Sequence, residues 1–316
     1  MQLNRTAQPR HRGRTRLASL GVLGALSLMA AACGNGSGSP TTTGGTVAPG
    51  SGTTAPTPTG IPAAAQSSML HNEIPAAMKG KTLVVALDAT YPPDEMVASD
   101  GTTIIGMDAD FADSLAQVLG VKVQLVNATF DGIIPGLVSG KYQIGDSSFT
   151  DTKAREKQVD FVDYFLAGEG FYKSANNSKT YNGLTGLCGY TVAVESGTTE
   201  QSDAQSQAKK CKVTILSFGT QTAANLAVST GKAQLGFVDS QVAAYIVKQS
   251  SGQFALTGTP IAVAPYGFAV PKGGLDKPLL GAFNELKSDG IYMKILAKWG
   301  NQAGAISSFG IDGATS

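Results

Sequence analysis

Residues 132–161 read "GIIPGLVSGKYQIGDSSFTDTKAREKQVDF", and the order of textures within them decides the fold. "GIIPGLVSGK" (132–141) reads as a short helix and "YQIG" (142–145) as a strand. Four hydroxyls, Ser147, Ser148, Thr150 and Thr152, crowd the carboxyl end of that strand, and a charged, helix-like stretch bearing Arg155 follows. Helix, strand and helix in succession are the unit of an α/β fold with a largely parallel sheet.

The same alternation runs outward in both directions. Upstream, "KTLVVALDA" (81–89) is a buried strand, "MDADFADSLAQVLG" (107–120) a helix with Phe111, Leu115 and Val118 at helical spacing and a terminal Gly120, and "VKVQLVN" (121–127) a strand. Downstream, strands are expected at 190–195, 212–218, 233–239 and 267–273, and helices at 199–210, 222–232, 240–250, 277–290 and 291–300. The result is two α/β units in tandem with no short repeat. The folded body is expected to begin near Lys79.

The chain has 316 residues and a formal charge of +1. Five arginines (5, 10, 12, 14 and 16) lie in the first 33 residues with no acid among them, so the remainder has 19 bases (24 less those five) against 23 acids. A mildly acidic body without a basic run points away from nucleic acid. "RHRGRTR" (10–16) followed by the apolar "LASLGVLGALSLMAAA" (17–32) has the pattern of an export signal, too short for a confident membrane span. "Ala30-Ala31-Ala32-Cys33-Gly34" resembles the lipobox of bacterial lipoproteins, with Ala30 departing from the usual leucine. Residues 1–32 are therefore expected to be a signal peptide, and Cys33 to carry lipid on the outer face of the cell membrane. The Gly-, Ser-, Thr- and Pro-rich stretch 34–60 cannot bury enough surface to fold, so 33–79 is expected to be a flexible linker. Cys188 and Cys211 form an even pair outside the cytoplasm, which suggests a disulfide. His11 and His71 are the only histidines and are expected to lie outside the body, so no metal site is expected.

In open α/β sheets ligands bind at the carboxyl ends of strands, beside helix starts. The polar residues at those places are Asp88 to Tyr91, Ser147 to Thr152 with Arg155, Ser196 to Thr199, and Asp239 with Ser240. Taken alone, 147–155 reads as a hydroxyl-rich N-cap followed by a solvated arginine, and Asp239 as an ordinary N-cap. Taken together, an arginine with hydroxyls suits a carboxylate and an aspartate suits an ammonium group, with Tyr91 and Phe130 as flanking aromatics. That set fits an α-amino acid. No catalytic apparatus is expected: the body lacks a Ser–His pair, a metal cluster and a Gly-rich nucleotide loop.

Seven stretches in order carry a family resemblance: "LDATYPPDEM" (87–96), "FDGIIPGLVSGKYQIGDSSFT" (130–150), "TKAREKQVDF" (152–161), "ESGTT" (195–199), "FVDS" (237–240), "PYGFAVPKG" (265–273) and "LKSDGIYMKILAKWG" (286–300). Over roughly residues 80–300 the chain resembles the family-3 extracellular solute-binding proteins, the polar amino-acid receptors of ABC importers. The resemblance implies a type II periplasmic-binding-protein-like fold: two lobes, each a mixed, mostly parallel sheet flanked by helices, joined by two hinge strands. Lobe one would take 80–170 and return over 262–316 with the C-terminal tail; lobe two would take 171–261. It implies that Arg155 holds an α-carboxylate, with Ser147, Ser148, Thr150, Thr198 and Thr199 adding hydrogen bonds. Asp239 would take the α-ammonium, and Tyr91 and Phe130 would sandwich the ligand.

The chain departs from the family at Asp94, where phenylalanine is usual. Asp88, Asp94, Glu95 and Glu195 suggest an acidic pocket mouth and a cationic or polar side chain on the ligand. The implied partners are an amino acid, an ABC permease, and the membrane through the lipid anchor; no cofactor is implied and a monomer is expected. A cyclohexadienyl dehydratase, which shares the fold, and a ligand-sensing lipoprotein are the alternatives.

Overall fold

The computed structural model describes residues 55–314. The expected signal peptide, Cys33 and the first part of the expected linker lie outside the described residues. The elements run α1 (Ser68–Glu73), β1 (Thr82–Leu87), β2 (Thr90–Tyr91), β3 (Glu95–Val97), β4 (Ile104–Ile105), α2 (Met107–Leu119), β5 (Lys122–Asn127), α3 (Phe130–Val138), β6 (Ile144–Gly145) and β7 (Val159–Ser174). Then come β8 (Thr191–Glu195), α4 (Thr199–Ala208), β9 (Thr214–Phe218), α5 (Gln221–Ser229), β10 (Leu235–Asp239), α6 (Ser240–Gln249), β11 (Phe254–Pro271), α7 (Asp276–Ser288), α8 (Ile291–Trp299) and β12 (Ala305–Ile311).

The large sheet has the order β5-β1-β6-β11-β7-β10-β8-β9, with β12 added on β7. Its two wings are parallel, β5-β1-β6 on one side and β10-β8-β9 on the other. The middle is antiparallel, because β7 and β11, 16 and 18 residues long, cross from one wing to the other side by side. The fold is thus two-lobed α/β with a pair of hinge strands. Sequence reading found only the end of β11 and none of β7. "VDFVDYFLAGEGFYKS" (159–174) shows no clean alternation, because most of its residues are buried on both faces of the sheet.

Each lobe has its own core. In the first, Phe111 of α2 packs edge-on against Tyr164 of β7 at 5.4 Å between ring centres, and Phe283 of α7 stacks on Tyr164 at 5.6 Å. In the second, Phe171 of β7 stacks on Phe237 of β10 at 4.4 Å among Leu187, Val192 and Val194. Rings at these spacings contribute somewhat beyond their buried area.

Helix α2 is buried almost all round, although its sequence shows a single apolar stripe. The cover over its outer side is the segment before β1. Gln117 donates to the Pro56 carbonyl at 2.8 Å and to Thr57 Oγ1 at 3.1 Å, and accepts from the Ala64 amide at 2.7 Å. Ile61, Leu70 and Ile74 are buried in the first lobe's core, and Leu70 lies where a Cβ on Gly281 would meet it at 2.4 Å. The expected start near Lys79 is therefore corrected: residues 55–79 are packed on the body. Their apolar residues are too scattered to show a period. His71 also belongs to the body, with Nδ1 at 2.8 Å from the Leu119 carbonyl.

Cys188 and Cys211 form a disulfide with a Cα–Cα distance of 5.6 Å, tying the approach to β8 to the end of α4. Closing a 23-residue separation restricts the unfolded chain. The Cys188→Ser/Cys211→Ser protein is expected to lose about 3 kcal/mol of stability in urea unfolding. An unchanged midpoint and slope would show that the bond contributes nothing.

Candidate functional site

Strand β1 ends at Leu87, and the chain turns at once into Asp88. The Asp88 amide donates to Ser147 Oγ at 2.9 Å, so the carboxyl ends of β1 and β6 are joined. The Asp88 carboxylate accepts from Thr90 Oγ1 at 2.7 Å, the Thr90 amide at 3.1 Å, and the amide of Phe130, the first residue of α3, at 3.2 Å. Opposite, β8 ends at Glu195 and the chain turns through Gly197, at φ 84°, into α4. Only glycine fits there: a Cβ would lie 2.9 Å from Asp131 Cβ on the other lobe. Thr198 caps α4 by accepting from the Gln201 amide at 3.2 Å.

The two lobes meet across this cleft. Tyr91 donates its hydroxyl to Asp239 Oδ2 at 2.6 Å, and the Gln221 amide donates to Thr90 Oγ1 at 3.2 Å. Thr150 and Thr199 hydroxyls stand 3.4 Å apart. Arg155 spans the gap, with Nη1 donating to the Thr150 carbonyl at 2.7 Å and Nη2 to the Gly197 carbonyl at 2.9 Å. Its guanidinium lies 5.3 Å from the ring centre of Phe130 and 5.4 Å from that of Phe149, which holds the fork in place. Desolvation pushes Arg155 down to about 10, so it is charged at neutral pH.

Asp88, Tyr91, Phe130, Ser147, Ser148, Thr150, Arg155, Thr198, Thr199 and Asp239 all line this one cavity, together with Glu195 and Glu200. Asp239 stands at the N-cap position of α6 but makes no capping bond there; its side chain faces Tyr91. Sequence reading missed Glu200. It is the second residue of α4, where a side chain at a helix start beside a strand's carboxyl end turns into the cleft, and that position was the available signal.

Two expectations are corrected. No helix follows Thr150: residues 153–158 form turns, and Thr150 makes a bridge to Tyr266. "TKAREKQ" (152–158) has no apolar stripe to bury, so it closes only single helical turns before β7. The helix starts at the cleft are those of α3, α4 and α6, at Phe130, Thr198 and Asp239. Asp94 and Glu95 do not form a pocket mouth either; both are fully buried behind the site. Ser147 Oγ donates to Glu95 Oε1 at 2.7 Å, and Ser148 Oγ lies 3.1 Å from Asp94 Oδ2 and 3.0 Å from Asp108 Oδ2. Gln241 and Asn301 also donate to Asp94, at 2.9 and 2.7 Å. These acids orient the serines from behind. Glu95 opens β3 with its side chain inward, and Asp94 stands in the turn just before that strand.

Four carboxyl groups line the cavity against one guanidinium. Burial raises Asp88, and burial and then the Asp88 charge push Glu195 up to about 9. Glu195 thus holds a proton beside Asp88 at neutral pH, and its Oε1 has no hydrogen-bond partner. Burial, then the Glu200 charge, raises Asp239 as well. The cleft is built to receive positive charge at two places, with one anion-binding fork between them.

A family model for bacterial extracellular solute-binding proteins, family 3, matches residues 83–302. The arginine-binding protein ArgT of Corynebacterium glutamicum is 33% identical over 242 residues, covering 74% of this chain and 79% of that one. A solved ancestral arginine-binding protein bound to arginine is 36% identical, with a TM-score of 0.66 over 70% of this chain and 99% of that one. A solved ancestral amino acid-binding protein, a precursor of cyclohexadienyl dehydratase, is 34% identical, with a TM-score of 0.65 over 73% and 99% of the two chains.

Proposed function

The chain belongs to the bacterial extracellular solute-binding proteins, family 3, and from that premise we propose that its cleft binds a cationic L-amino acid, of the arginine type, for an ABC importer. The α-carboxylate lies on Arg155, the amides at the start of α4, and the hydroxyls of Ser147, Ser148, Thr150, Thr198 and Thr199. The α-ammonium lies on Asp239, with Tyr91 and Phe130 flanking the ligand. The observation that carries the choice of side chain is the Asp88–Glu195 carboxyl pair, one group from each lobe, with Glu195 Oε1 unpartnered. A guanidinium placed between them displaces the Glu195 proton and draws the lobes together, which couples recognition to closure. The names of the arginine-binding relatives support the same reading. The dehydratase alternative is disfavoured: even its solved precursor is called an amino acid-binding protein.

The carboxyl pair makes a measurable prediction. Without ligand, Glu195 is held up to about 9 and is protonated at pH 7. A cation beside it favours the charged form, so arginine binding at pH 7 releases up to about one proton, and affinity rises with pH toward 9. Calorimetry in two buffers of different ionisation enthalpy reads this directly. Glu195→Gln removes the release and weakens arginine relative to glutamine. Arginine binding with no proton release, or tight glutamate binding without arginine binding, overturns the side-chain assignment.

The rest of the delivery system follows from the sequence. Lipid on Cys33 anchors a monomer to the outer face of the cell membrane, with 55–170 and 262–314 as lobe one and 171–261 as lobe two. Among the described residues no helix is long and apolar enough to cross a membrane. Globomycin, which blocks lipoprotein signal cleavage, tests the anchor: the uncleaved precursor is expected to accumulate, and a mature protein unchanged by the drug refutes the lipid.

A further inference from the structure

A second cavity lies beside the cleft, against the hinge. It shares Thr150, Thr199 and Asp239 with the amino-acid site and extends past them to Glu169, Asp203 and Thr152. Its cavity volume is ≈ 90 Å³, against ≈ 10 Å³ for the cleft. The hinge strands pair irregularly here: Glu169 of β7 is in register with Ile261 of β11, and register shifts flank that pair on both sides. Ala262 takes the left-handed conformation, at φ 51°, within this irregular stretch. Ala167, Ala262 and Ala264 are too small to fill the gap, so it stays open.

The chemistry of the walls is one-sided. Three carboxyl groups and three threonine hydroxyls line the cavity, and none of the lining residues is basic. Glu169 is 4% exposed, burial and then the Glu200 charge push it up to about 10, and its Oε2 has no hydrogen-bond partner, so a cation placed there displaces the proton it holds at neutral pH. A buried carboxyl oxygen without a donor is costly unless something supplies one. Among the described residues no group of three or more His, Cys, Asp or Glu is spaced to hold a metal ion. An ammonium group suits wider spacing, because its N–H donors reach acceptors at hydrogen-bond distance in several directions. The three alanine methyls offer contact to a small alkyl group.

We propose that this hinge cavity is a second binding site, taking a small organic cation of the alkylammonium class beside the amino-acid cleft. Its walls come from both lobes and from both hinge strands: Thr150 and Thr152 from one side, Asp203 and Asp239 from the other, and Glu169 between them. A cation there ties the lobes in the closed arrangement.

The probe is methylammonium. Thermal unfolding of the mature protein in ~100 mM methylammonium chloride is compared with sodium chloride at the same ionic strength, without amino acid. The expected result is a Tm higher by about 3 °C in methylammonium, lost in Glu169→Gln while arginine still raises the Tm of that variant. Should Glu169→Gln fail to fold, Asp203→Asn, at a more exposed position, reads the same loss. No excess over sodium chloride overturns the proposal, as does an undiminished shift in both variants. A shift lost in Glu195→Gln but kept in Glu169→Gln places the cation in the cleft and also overturns it. Arg155→Ala separates this site from the amino-acid reading: it is expected to lose the arginine shift and keep the methylammonium shift.

Discussion

Arg155→Ala is expected to abolish amino-acid binding at micromolar protein concentrations, weakening it by about 2–5 kcal/mol, roughly 30- to 5,000-fold. The size follows from where the guanidinium sits. It bridges the Thr150 carbonyl of one lobe and the Gly197 carbonyl of the other, and it is braced by the rings of Phe130 and Phe149. It is the one basic group among the residues lining the cleft, where four carboxyls surround it. Removing it leaves a ligand carboxylate with no cation among the lining residues to offset the four carboxyls, and deletes a contact between the lobes. Arg155→Lys keeps the charge but loses the planar fork, so an intermediate loss is expected. Calorimetry with arginine checks both variants, with unfolding curves to confirm the fold. Arginine affinity in Arg155→Ala within threefold of the parent would remove Arg155 from the carboxylate site.

Gly106→Ala is expected to carry the largest stability effect, a loss of about 3 kcal/mol or more. Gly106 has φ 147° and precedes α2. An added Cβ would lie 2.1 Å from the Asp94 carbonyl oxygen and 2.7 Å from Glu95 Cα. These are backbone atoms of the segment leading into β3, so no side chain can swing aside. The same segment carries Asp94 and Glu95, which hold the hydroxyls of Ser148 and Ser147. The variant is therefore expected to bind arginine more weakly as well as to unfold at lower urea. Gly101→Ala serves as the comparison: Gly101 has φ 77°, but an added Cβ meets nothing within 4 Å. It bears the backbone strain without the collision, and a loss no greater in Gly106→Ala than in Gly101→Ala would refute the steric argument.

Much of the site was legible because of where strands end. Asp88, Ser147, Thr198 and Asp239 each follow a recognisable apolar run, and in a parallel sheet such positions gather at one edge. Asp94, Glu95 and Glu200 were misjudged for the same physical reason. Their facing depends on one step of β alternation or one position in a helix turn, and a run two or three residues long is too short to show its period. The segment 55–79 was misread because isolated residues such as Ile61 and Leu70 bury themselves individually, with no repeat to betray them.

The sequence by itself determined the α/β alternation, the disulfide partners and the set of polar residues gathered at the strand ends, since each rests on residue type and on spacing along the chain. Tertiary structure alone decided that Glu195 comes beside Asp88, that Tyr91 reaches Asp239 across 148 positions, and that the hinge strands shift register around Glu169. Those facts depend on how two lobes close over a pair of crossing strands. Closure brings together side chains whose separation in sequence carries no period and no local signal.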